Sequence, residues 1–148
     1  MTWLDDHSRL ALRVTAWNRV TGPIVLAEFR AAAARHGPPA STLTDNGMVF
    51  TTRLSGGKGG RNAFEHELRR LGIRQKNGKP NHPQTQGKVE RFQQTLKNWL
   101  AAQHPQPATL TQLQALLDTF TSYCNNRRPP QVTARPGHHP RHRVCRPP

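Results

Sequence analysis

An α/β fold around a small core is what this sequence predicts. Three observations carry the reading. Short alternating or β-branched runs interleave with amphipathic helical stretches, turn residues separate most of them, and only 34% of the chain is apolar. At 148 residues the chain has room for one modest domain. Its 13 Pro and 11 Gly give many breaks and little to bury.

Thr2–Asp5 and Arg9–Trp17 are expected as strands. In the second, Leu10, Leu12, Val14 and Ala16 alternate with Ala11, Arg13 and Thr15, the period of a half-buried strand. Asp6-His7-Ser8-Arg9 supplies the turn of an antiparallel hairpin, without the favoured Asn-Gly or Asp-Gly pair. Asp6 is expected to bond the turn backbone with Ser8 and Arg9. Thr21-Gly22-Pro23 opens a helix to about His36, with Pro23 suited to its first turn and Gly37-Pro38-Pro39 stopping it. A brief strand at Ser41–Thr44 delivers Asp45 to its C-terminal end, where α/β sheets commonly place ligand-binding groups.

Arg53–Arg61 reads as a basic glycine-rich loop. The next helix covers about Asn62–Leu71, with Phe64, Leu68 and Leu71 on one face and Gly72 at its end. Ile73–Gln75 is a short strand, and Pro80 and Pro83 make Asn77–Gln86 a loop. Gln86–Gln103 carries Val89, Phe92, Leu96, Trp99 and Leu100 as one apolar stripe. Thr109–Asn125 carries Leu110, Leu113, Leu116, Leu117, Phe120 and Cys124, with Thr109 and Gln112 placed for a capping box. That second stripe serves core packing or a dimer seam. The organisation expected is a domain over 1–128 and a Pro/Arg/His-rich tail over 129–148, disordered when free.

Charge limits the partners. Lys and Arg number 22 against 8 acids, a net charge of +14, so a phosphate-rich partner is the default; a merely soluble basic surface or a ribosome-associated protein is the alternative. Cys124 and Cys145 form neither a disulfide framework nor a metal-ligand spacing, which points to a reduced, cytoplasmic setting. No run approaches the roughly 20 apolar residues of a membrane span. No signal-peptide pattern precedes Asp5 and Asp6.

Two carboxylates stand out in so basic a chain. Asp45 begins Asp-Asn-Gly, a strong turn signal in which the side chain either bonds its own backbone or faces a ligand. Glu90 lies about 130° from the centre of its helix's apolar stripe, flanked by Gln86, Gln94 and Lys97. It is either a solvated acid favoured by the positive helix end or a metal ligand lying beside phosphates.

Together they carry a resemblance. Thr44-Asp45-Asn46-Gly47, then His82-Pro83-Gln84 through Gly87 to Glu90-Arg91, with Leu4-Asp5-Asp6-His7-Ser8-Arg9 upstream and Tyr123-Cys124-Asn125-Asn126-Arg127-Arg128-Pro129 downstream, is similar to the integrase catalytic core of retroviruses and bacterial insertion-sequence transposases. The match covers about residues 2–130. It implies a ribonuclease-H-like fold, a mixed sheet flanked by helices, and metal-dependent strand transfer on DNA. Asp45 and Glu90 would hold Mg²⁺, with Mn²⁺ as a substitute. Lys88, Arg91 and Lys97 would hold phosphates, and Asn46, Gln84 and Gln86 would be polar DNA contacts. DNA is the implied partner, with self-association or an intact transposase beside it; no membrane and no small-molecule substrate are called for. A bacterial, nucleoid-associated location follows.

The family pattern has three acids. The first sits on the strand before Leu4–Arg9 and has no counterpart here, so the first central strand is expected to be missing and activity weak or absent. Asp5 and Asp6 align with the following strand and turn and are not substitutes. The composition after Pro129 fits an altered reading frame, as the beginning at Met1 fits a displaced start. A basic DNA-binding remnant without catalysis is the alternative function.

Overall fold

The computed structural model describes residues 1–53, 60–78 and 87–126. Among them, eight elements follow in chain order: β1 (Thr2–Leu4), β2 (Ala11–Val14), α1 (Gly22–His36), β3 (Ser41–Thr44), α2 (Ala63–Arg70), β4 (Arg74–Asn77), α3 (Gly87–Ala101) and α4 (Leu110–Asn126). The strands form two two-stranded sheets, β1 with β2 antiparallel and β3 with β4 parallel. The α/β expectation holds, with both strand senses present. By its contacts the chain divides into two compact units: Met1 with Trp17–Gly87, and Thr2–Ala16 with the chain from Lys88.

In the first unit, local rules set both ends of each helix. Thr21 is the extended N-cap of α1 and Pro23 sits in its first turn. Gly37, at φ 86°, closes it by donating its N–H to the carbonyl of Ala33 at 2.9 Å. The start of α2 is a reciprocal capping box: Glu65 N donates to Asn62 Oδ1 and Asn62 N to Glu65 Oε2, each at 2.9 Å. At its end Gly72, at φ 68°, donates to Arg69 O and Ile73 N donates to Leu68 O, the Schellman arrangement.

That turn moves two expected residues. Leu71 is exposed instead of joining the face of Phe64 and Leu68, and Ile73 is buried ahead of the strand it was expected to open. The strand itself is Arg74–Asn77, polar throughout, because pairing of Ser41 with Arg74 through Thr44 with Asn77 overrides residue preference. Val25, Phe29, Ala32, Phe64, Leu68 and Ile73 fill this core. Phe64 meets Phe29 edge-on at 5.4 Å and Phe50 at 6.2 Å between ring centroids.

The second unit packs the β1–β2 hairpin with α3 and α4. Ala11 and Val14 from β2, Phe92 and Leu96 from α3, and Leu117, Phe120 and Cys124 from α4 form its buried cluster. Phe120 is fully buried between Phe92 at 5.6 Å and Trp99 at 5.3 Å. The α4 stripe therefore packs its own core rather than a dimer seam, except that Leu110 is 40% exposed in the first turn. The expected Thr109–Gln112 box is half formed: Gln112 N donates to Thr109 Oγ1, while Gln112 Oε1 accepts from Ala108 N, one residue early. Cys124 is buried in this cluster, and Cys145 lies outside the described residues.

Two α4 amides complete the open side of β2. Asn125 accepts from Ala11 N at 2.9 Å and donates to Ala11 O at 3.0 Å. Gln114 accepts from Ala16 N at 2.8 Å and donates to Val14 O at 3.1 Å. These bonds replace what a neighbouring strand would supply.

Candidate metal site and nucleic-acid interface

Asp45 follows the last residue of β3 and its turn is tightly bonded. Its Oδ1 accepts from Gly47 N at 2.8 Å, the backbone bond that the turn signal allows. A Cβ at Gly47 would fall 2.8 Å from that same oxygen, so another residue there would push the carboxylate off this bond. Gly78 N donates to Thr44 O at 3.0 Å, Asn77 Nδ2 to Asp45 O at 3.3 Å and Asn46 Nδ2 to Gly78 O at 2.9 Å. The chains leaving β3 and β4 are thus tied to each other. Asn46 is a latch between them.

Further along, the loop is anchored on α2. Thr51 Oγ1 donates to Glu65 Oε1 at 2.8 Å, Asn62 Nδ2 to Met48 O at 3.3 Å, and Gln75 Nε2 from β4 to Phe50 O at 2.8 Å. Burial pushes the Glu65 carboxyl up, but donation from Asn62 N–H, Thr51 and Thr52 outweighs it and holds the group below its ordinary range. Asp45 itself is exposed, with Oδ2 free of any hydrogen-bond partner among the described residues.

Glu90 stands exposed in the first turn of α3, with no hydrogen bond or ion pair among the described residues. Arg91 and Lys97 are exposed on the same helix. Lys88 is engaged: its Nζ lies 2.7 Å from Asp6 Oδ2 and donates also to Asp6 O at 3.2 Å. Asp6 Oδ1 lies 3.8 Å from Arg9 Nη1. The turn acid was expected to be Asp6, and it is Asp5: Ser8 donates to Asp5 Oδ2 from N at 2.6 Å and from Oγ at 2.5 Å. These two bonds hold the Asp5 carboxyl below its ordinary range. Asp5 takes the role because its own N–H and C=O already close the loop against Leu10 and Arg9.

The expected site residues therefore fall in two groups. Asp45 and Asn46 belong to the first unit; Lys88, Glu90, Arg91 and Lys97 belong to the second. Gln84 and Gln86 lie outside the described residues, as do most of the glycine-rich loop and the tail. No group of three or more His, Cys, Asp or Glu side chains that could hold a metal occurs among the described residues. An open cleft of about 360 Å³ in the first unit is lined by Arg61, Arg69 and Arg74 and contains none of the expected residues. Sequence reasoning passed over Arg9 and the Asn62–Glu65 pair; the second was visible as Asn-x-x-Glu before an apolar face.

Residues 71–131 match the family model described as an integrase core domain, a segment that includes Glu90. The structure resembles the catalytic core domain of BIV integrase with a TM-score of 0.60 and 22% identity, over 87% of this chain and 82% of that one. The fold is that of an integrase catalytic core. A chain of the simian T-cell lymphotropic virus intasome, solved in complex with PP2A regulatory subunit B56 gamma, matches with a TM-score of 0.59 and 24% identity over 80% of this chain. This chain spans 40% of the length of that intasome chain. Among the described residues, no helix is long and apolar enough to cross a membrane.

Proposed function

We propose that this chain is a DNA-binding integrase-type core of the insertion-sequence transposase kind, with Asp45 and Glu90 as its metal-binding carboxylates. The observation that carries the reading is the state of those two acids. Both are exposed, one at the C-terminal end of a parallel strand and one in a helix's first turn, and each keeps carboxylate oxygen available. Hard oxygen donors of this type suit Mg²⁺ or Mn²⁺, which accept one or two carboxylates and fill their remaining positions with water and phosphate oxygens. When bound, such an ion activates an attacking oxygen and stabilises the leaving one in phosphoryl transfer.

The protein's own part is positional. The turn bonds around Gly47, Asn46 and Asn77 hold Asp45 at the strand end. Lys88, Arg91 and Lys97 bind backbone phosphates, giving affinity without base recognition. Asp5 and Asp6 take no part in metal binding, since Ser8 holds the first and Lys88 the second. Location in the bacterial cytoplasm at the nucleoid goes with this reading. A second reading, a DNA-binding module without catalysis, is favoured by the net charge of +14.

The test is calorimetric titration with Mn²⁺ in the presence of DNA, alongside a nicking and joining assay. Metal affinity should fall by at least about tenfold in Asp45→Asn and in Glu90→Gln, since even groups that only orient ligands cost that much. Titrations identical to wild type would remove the metal pair. Robust metal-dependent cleavage lost in Asp45→Asn and in Glu90→Gln would support the pair.

A further inference from the structure

We infer that Arg9 and Lys88 form a backbone-phosphate subsite at the β1–β2 turn, and that Asp6 occupies it until a DNA phosphate displaces it. The inference rests on the proposed DNA binding and adds a residue, Arg9, and a gate, Asp6. All three lie in the second unit. The Asp6 carboxylate lies 2.7 Å from Lys88 Nζ through one oxygen and 3.8 Å from Arg9 Nη1 through the other. Two cations thus converge on one anionic group.

Three features mark this anion as replaceable. Asp6 is 72% exposed and Lys88 45%, so their pairing is screened and contributes little to the fold. Arg9 Nη1 is buried yet has no hydrogen-bond partner among the described residues, because 3.8 Å is beyond hydrogen-bond reach. A buried guanidinium nitrogen in that state lacks an acceptor, and an anion with more oxygens than a carboxylate could supply one. Arg9 also holds the left-handed backbone at φ 65°, which a non-glycine residue adopts at a cost. The turn bonds from Arg9 N to Asp5 O and from Asp5 N to Leu10 O keep it there.

A phosphodiester fits the vacated position. It carries the same single charge as Asp6, offers two unesterified oxygens, and can take a lysine on one and an arginine on the other. Its binding also releases condensed counterions from the DNA, a gain that Asp6 cannot match. At low ionic strength the exchange favours DNA; at high ionic strength Asp6 retakes both cations.

The experiment measures DNA affinity of the full chain across a salt series for wild type, Asp6→Asn, Lys88→Gln, Arg9→Gln and the Asp6→Asn/Lys88→Gln pair. Asp118→Asn is the equal-charge control, exposed on α4. Asp6→Asn should bind about five- to tenfold more tightly near 0.1 M salt. Asp118→Asn should change affinity less than about twofold. Lys88→Gln and Arg9→Gln should each weaken binding and lower the salt slope by about one. In the Lys88→Gln background the Asp6→Asn gain should disappear. Circular dichroism melts check that each variant folds; if Arg9→Gln does not fold, Arg9→Lys, which keeps the charge but not the fork, should weaken binding while holding the slope. Wild-type binding with Asp6→Asn unchanged, or a gain equal to that of Asp118→Asn, overturns the gate alone. No DNA binding by any variant overturns the gate together with the functional reading beneath it.

Discussion

Glu67 shows how a single acid survives inside a strongly basic chain. It is buried on α2, yet Arg70 donates to it at 2.9 and 3.1 Å and Arg30 at 2.8 Å. Those hydrogen bonds, Arg70 first, hold the carboxyl at about 2 against an ordinary 4.5, with burial opposing them. A depressed carboxyl stabilises the fold fully above its unfolded value and loses that contribution as pH falls through the folded one. Thermal melts should therefore be flat above about pH 4.5 and fall steeply toward pH 2, with the Asp5 and Glu65 shifts acting in the same direction. Glu67→Gln should be less stable at neutral pH and lose much of that acid dependence. At the candidate site the same scale explains the glycine after Asn46: any side chain at Gly47 would meet the carboxylate oxygen whose turn bond it must keep.

At the scale of elements, side-chain amides take over work usually done by backbone. β2 is four residues long and, among the described residues, pairs with β1 alone, and its other side is completed by Asn125 and Gln114 of α4. Asn125→Ala leaves both a donor and an acceptor of Ala11 without partners in a buried setting. Urea unfolding should show a loss of about 1–3 kcal/mol for that change. Asn126→Ala, exposed one residue later with a side-chain bond to Ser122, should stay within about 0.5 kcal/mol of wild type. The contrast separates the packing role of this segment from general helix propensity. The downstream Tyr-Cys-Asn-Asn stretch that carries the resemblance thus has a structural use.

Across the whole molecule, the sign and amount of charge decide more than any one pocket. All eight acids fall in the described segments, and Asp5, Asp6, Glu65 and Glu67 are held by partners there, so the exposed cations vastly outnumber available anions. DNA affinity should accordingly fall steeply with salt. The four proposed phosphate contacts, from Arg9, Lys88, Arg91 and Lys97, would correspond to a slope of roughly −3 to −4 in log affinity against log salt. Fluorescence anisotropy from low to physiological salt would measure it, and little dependence on base sequence should accompany it.

The one-dimensional sequence was enough for much of this. Helix limits at Gly22–His36 and the strand Ser41–Thr44 followed from Pro, Gly and β-branched residues, whose backbone preferences act locally. The places of Asp45, just after a strand, and Glu90, in a helix's first turn, were legible because turn and helix-start signals stand beside them. What pairing and packing alone decided was different in kind. Polar Arg74–Asn77 became a strand because β3 offered a ladder, Leu71 was turned outward by a Schellman turn, and Asp5 displaced Asp6 as the turn acid because its backbone already closed the loop. Asp6 was left to meet Lys88, far along the chain, and no local preference reports a contact whose partners are joined only by folding.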